Sequence, residues 1–320
     1  MFRWLLKKYL RESQWLWVSC ALMLLIFPWM RIWTVCQFEL SGFAPLLDQI
    51  RNLEKFSPVP LEQFLTYEGV VALTYDEPIL VLCILVWSIA RGSDVVSGEI
   101  GRGTMEMMLA QPVRRSQLLA AHGLVTILGL IGLVLAAHLG LFAGIQTNSV
   151  LMRVETPSIQ IPGIPIPLQN PFATVEKTRV PLAELVPFQL YSMPSIHLLG
   201  LGWVVLGLSV LCSSWERLRS RTIGTVLGIY VTQLLLYVLA KSAPKLGALK
   251  VFTFLSAYQP DWTVQVVKKD ASMVWAVWVS EGSTYTPGPL GFALILFAIG
   301  AIAYAIGAAI FCKRDIPAPL

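Results

Sequence analysis

The sequence predicts an all-α polytopic membrane protein with about six transmembrane helices, and three observations carry that prediction. Apolar residues fill 56% of the 320 positions and charged residues only 13%, against about 25% charged in an ordinary soluble domain. The apolar surplus gathers in long uncharged runs, near or above the roughly 18 residues that cross a bilayer core. Basic residues cluster at the ends of those runs, in short segments on one side.

Taken in order, residues 1–11 set Phe2, Leu5, Leu6, Tyr9 and Leu10 among Arg3, Lys7, Lys8 and Arg11, a pattern suited to an N-terminal helix lying in the interface. The first span follows at 15–35, with Trp15 and Trp17 marking one interface and Trp29 and Trp33 the other. This run lacks a small-residue cleavage site, so a retained span is expected rather than a signal peptide. Residues 36–68, broken by Pro45, Pro58 and Pro60, belong outside.

The clean apolar run 78–90 is too short for a core of about 30 Å at 1.5 Å per residue. The second span must therefore reach back to about residue 69, which sets Asp76 and Glu77 below the outer surface. Carboxylates at that depth are costly and often line a pathway or pair with a cation. The competing reading makes them caps of a helix that starts at Pro78, since Pro and acids favour a helix N-terminus.

The remaining spans are read at 118–143, 196–213, 222–240 and 290–312, with large outer loops at 144–194 and 241–289. Segment 156–171, TPSIQIPGIPIPLQNP, holds too many prolines for a helix and should be extended. The whole chain, 1–320, reads as one transmembrane domain. Arg91, Arg102, Arg114, Arg115, Arg217, Arg219, Arg221, Lys313 and Arg314 join the N-terminal bases on one side. By the positive-inside rule that side is cytoplasmic, and it holds both termini. Small residues at helix-packing spacing, Gly140 with Gly144, Gly224 with Gly228, and Ala301, Ala305 and Ala309, permit close helix approach.

Composition excludes several function classes. Five scattered cysteines show no disulfide or zinc spacing. His122, His138 and His197 have no ligand spacing, so no metal site is expected. The net charge of +5 is explained by topology rather than by nucleic acid. Apart from Asp76 and Glu77, no span holds paired carboxylates or a Ser with a His at helical spacing, so no catalytic residue is assigned and a membrane-embedded protease or lipid transferase has little to work with. Trp262, Trp275 and Trp278 suit interface anchoring, with contact to a lipid-like substrate as the competing reading.

The segment 97–117, SGEIGRGTMEMMLAQPVRRSQ, reads as a short interfacial helix between the second and third spans. Ile100, Met105, Met107, Met108 and Leu109 offer apolar surface, while Glu99, Arg102 and Glu106 are expected to stay wet. Gly98, Gly101 and Gly103 permit a tight turn or close approach. Pro112 ends the helix before Arg114 and Arg115 anchor the next span.

At Glu99, Gly103, Thr104, Glu106, Leu109, Ala110, Pro112, Val113, Arg114 and Arg115 the sequence resembles the permease subunits of ABC exporters of the ABC-2 type, in the subgroup with sodium, copper-maturation and gliding-motility permeases. The resemblance implies that this loop is the cytoplasmic coupling helix, which seats in a groove of an ABC ATPase. No G-x-x-x-x-G-K-[ST] phosphate loop occurs in the chain. ATP and Mg²⁺ are therefore expected on a separate ATPase subunit, with no cofactor bound here. The resemblance further implies a second permease copy or paralogue as a dimer partner, surrounding membrane lipid, and residence in a bacterial-type cytoplasmic (inner) membrane. The outer loops are longer than in the drug and polysaccharide members, which leaves the substrate open. An ATP-independent anchor for an outer assembly would use those loops and leave the inner motif without a role.

Overall fold

The computed structural model describes residues 2–38, 66–111, 113–154, 176–281 and 284–314. Six of its helices are long and apolar enough to cross a membrane. The first, α1, runs unbroken over Phe2–Cys36, about 52 Å at 1.5 Å per residue. The amphipathic segment 1–11 is thus not a separate helix along the interface; residues 2–11 form the opening turns of α1. No glycine or proline separates residue 11 from residue 15, and Leu5 and Tyr9 are buried against the bundle, so both propensity and packing carry the helix onward.

The second span is built in pieces. Helix α2, Tyr67–Ala72, passes through a 3-10 turn at Leu73–Asp76 into α3, Pro78–Ser93. Pro78 lacks the N–H that would continue the ladder, which is why the break falls there. α3 then widens into a π turn at Asp94–Gly98 and ends at Gly101. The left-handed Gly103 (φ 70°) turns the chain into α4, Thr104–Leu109, a conformation that glycine adopts without steric cost.

Helix α5 spans Arg115–Thr147. The hairpin β1 (Ser149–Val154) and β2 (Glu176–Pro181) follows, antiparallel with Val150 opposite Val180, and then the short α6, Leu182–Leu185. Helices α7 (Ser192–Trp215) and α8 (Arg219–Ser242) are the fourth and fifth spans. The segment after α8 carries α9, Pro260–Lys269, and the hairpin β3 (Trp278–Glu281) and β4 (Thr284–Pro287). Helix α10, Pro289–Lys313, completes the bundle. The proline-rich 156–171 segment lies outside the described residues, as does Pro112.

α7 pairs most extensively with α10, and α1 with α5. Small residues set both seams. A Cβ on Gly140 would lie 2.2 Å from the Leu25 carbonyl oxygen, and one on Gly207 would lie 2.3 Å from the Gly300 oxygen. Gly140 and Gly144 therefore seat α1 within the chain, whereas Gly224 and Gly228 on α8 face open space. Trp17 packs on Gly132 and donates to the Gly129 carbonyl at 2.9 Å, midway along α5. It marks the bundle's middle rather than an interface. The core continues into the segment between α8 and α10, where Leu255, Ala257, Tyr258 and Val264 are buried.

Candidate functional site at the basic end of the bundle

Both ends of the described chain and the two short connections, α3 to α5 and α7 to α8, meet at one end. Arg115 on α5 donates to the Phe311 carbonyl at 3.3 Å and also to that of Arg314, while Arg314 reaches the Ser214 carbonyl at 2.8 Å. Basic residues that are far apart in sequence thus converge here.

Two carboxylates organise them. Asp94, in the π turn, is met by Arg102 at 2.7 Å and by Arg91 and Arg219 at 3.4 Å each. Glu99 is 1% exposed and is met by Lys8 of α1 at 2.7 Å and Arg102 at 3.3 Å; the Thr104 hydroxyl donates to its other oxygen. The wide π turn leaves backbone N–H groups without helical partners nearby. The Ser213 hydroxyl of α7 accepts from two of them, Val96 at 3.3 Å and Ser97 at 3.0 Å. Ser97 also bonds Thr222 of α8 at 3.0 Å.

This geometry divides the residues of the 97–117 motif. Glu99 is an internal tie and does not stay wet, because Lys8 and Arg102 desolvate it together. Met105 and Met108 are buried beneath α4, and the Lys8 ammonium lies 3.3 Å from the Met108 sulfur. Gly103, Glu106, Met107, Ala110 and Arg114 are exposed, with Met107 at 65%. Leu109 is half-buried, and Arg115 is half-buried and turned toward α10. The mount is buried and polar within; the tip is open and partly apolar. Lys8 and Arg219, read from the sequence only as topology-setting bases, form that mount with Asp94 and Ser213, which no sequence signal marked.

At the opposite end, Glu77 takes the N-cap position of α3 but makes no capping bond. Its carboxylate pairs instead with Arg31 of α1 at 2.7 Å. The same guanidinium donates to the Val70 carbonyl at 2.7 Å and to Thr74 at 3.0 Å, clamping the break between α2 and α3. Asp76 beside it is exposed. Three tyrosines complete this end: Tyr258 donates to the Tyr75 carbonyl at 2.5 Å, Tyr191 to that of Glu68 at 3.0 Å, and Tyr75 lies 2.7 Å from the Ser195 hydroxyl. Ser195 is 2.8 Å from His138 Nδ1, a pairing across two helices. It is buried in the packing and held to the Tyr191 carbonyl at 3.0 Å, where it braces the fold. Among the described residues no cluster of His, Cys, Asp and Glu could hold a metal ion.

No curated protein matches the chain. Residues 7–316 match the family model described as ABC-2 family transporter protein. With six candidate spans and that match over nearly its full length, the chain belongs to the ABC-2 transporter family and is an integral membrane permease component of an ABC transporter.

Proposed function

We propose that this chain is the permease subunit of an ABC exporter, driven by a separate cytoplasmic ATPase that docks on α4 and the adjoining residues 101–115. The observation that carries this reading is the exposed tip formed by Glu106 and Met107, mounted on the buried ties of Glu99 and Asp94. A push on α4 reaches α1 through Lys8, α8 through Asp94 and Arg219, and α3 through the turn at Gly103. Gly103, Thr104 and Leu109 shape the loop, and Arg114 and Arg115 join it to α5. The basic end is cytoplasmic on this reading, in a bacterial-type inner membrane. A second permease copy or paralogue completes the pathway, and α8 is the span left most uncovered, with only Thr222, Val226 and Ala240 buried. Asp76 and Glu77 mark where the pathway opens outward, with Arg31 holding that mouth. ATP and Mg²⁺ stay on the partner.

The test is co-purification of an ATP-hydrolysing partner from the native membrane. Glu106→Lys should reduce the recovered ATPase at least tenfold while the permease itself is recovered in full. Full association in that variant would overturn the docking assignment.

A further inference from the structure

A cleft of about 600 Å³ lies between α1 and α5, within the size range of sites that hold small molecules. Its mouth is framed by Leu10 and Val18 of α1 and Leu124 and Leu128 of α5, each at least 41% exposed. Its floor is Trp17 with the buried Trp87, which reaches α5 beside Gly129. Lys7 and Arg11 stand at one end. Both are exposed, neither has an ion pair among the described residues, and no acidic residue lines the cleft.

Length and charge identify the occupant. From Lys7 to Val18 α1 rises about 16 Å, close to the roughly 15 Å of one hydrocarbon leaflet. The inner end of the cleft stops at Trp17 and Gly129, midway along α5. A molecule that fills it carries an anionic head at Lys7 and Arg11 and an apolar tail one leaflet long. A second copy of this chain fits poorly, because its own basic residues gather at that same end, Arg219 and Arg221 of the uncovered α8 included.

We infer that the cleft holds one anionic phospholipid of the leaflet that faces the N-terminal end, its phosphate between Lys7 and Arg11 and one acyl chain against Trp17 and Trp87. The bound lipid sits against α1 and α5, its head beside Lys7, the neighbour in sequence of the Lys8 that ties to Glu99. The inference stands apart from the transport reading, since it needs only the bundle.

Native mass spectrometry of the full chain tests it, with phosphatidylglycerol and phosphatidylcholine of identical acyl chains as probes. The wild-type chain should retain one phosphatidylglycerol with a preference on the order of thirtyfold, the effect of two basic residues at a membrane surface. Lys7→Gln with Arg11→Gln, both exposed and outside the buried ties, should lower that preference to under threefold without changing thermal unfolding. Leu128→Trp should cut retention of both lipids. Glycerol phosphate, which has the head but no tail, should not displace the lipid. Equal retention of the two lipids by the wild type, unchanged preference in the double variant, or displacement by glycerol phosphate would each overturn the inference. So would loss of a permease dimer, rather than of lipid, in Leu128→Trp.

Discussion

Replacing Glu99 by Ala isolates the internal tie from the docking surface. The Glu99 carboxylate is 1% exposed, Lys8 20% and Arg102 42%. Removing one member of a buried ion pair costs about 3–5 kcal/mol. Both cations keep some access to water, so the low end applies: about 3 kcal/mol, or roughly a hundredfold in the folded-to-unfolded ratio. Glu106→Ala removes an exposed charge and should stay within about 0.5 kcal/mol. Reversible unfolding in mixed micelles, followed by tryptophan fluorescence, reads both variants. A cycle of Glu99→Gln and Lys8→Met should show a coupling of about 1 kcal/mol or more. Association with the ATPase should rank in the opposite order once each variant is folded, with Glu106 the more sensitive. An unfolding free energy for Glu99→Ala within 0.5 kcal/mol of wild type, on the scale of exposed substitutions, would refute the reasoning.

Three further outcomes follow from the packing. Arg31→Met removes the Glu77 pair and two hydrogen bonds to the α2–α3 break; it should cost about 2–4 kcal/mol and raise proteolysis near residue 76. Gly140→Leu forces side chain against the Leu25 carbonyl and should cost about 3 kcal/mol or more, whereas Gly224→Ala, which meets nothing within 4 Å, should change the permease's own stability by less than about 1 kcal/mol. Tyr258→Phe leaves the buried Tyr75 carbonyl without its donor and should cost about 1–2 kcal/mol, with little change in far-UV circular dichroism.

Hydropathy made the six spans legible, because lipid offers backbone groups no partner and so forces long uninterrupted apolar helices. The short apolar run after Pro78 required the second span to reach back to about residue 69, but it did not show that the span is built in pieces, α2 and α3. Amphipathicity could not decide whether residues 1–11 lie along the interface or continue α1, since that depends on what Leu5 and Tyr9 pack against. Glu99 looked solvated because a charge in a loop ordinarily is. Its partner Lys8 stands 91 residues away, and only the packing of α1 beside the π turn brings them together. Arg31 was hidden in the same manner, as one charge in a long apolar run whose partner Glu77 is 46 residues distant. The family motif marked this loop as a whole and could not separate its buried supports from its exposed tip. That division depends on which side of α4 faces the bundle: Met105 and Met108 are buried and Met107 is not.

The exposure of Met107 makes the docking claim directly measurable. A photo-crosslinking amino acid introduced at Met107 in the native complex should join the permease to an ATP-hydrolysing polypeptide, with the same probe at buried Met105 giving none. Crosslinks from position 107 to lipid alone, or only to other permease chains, would contradict the account.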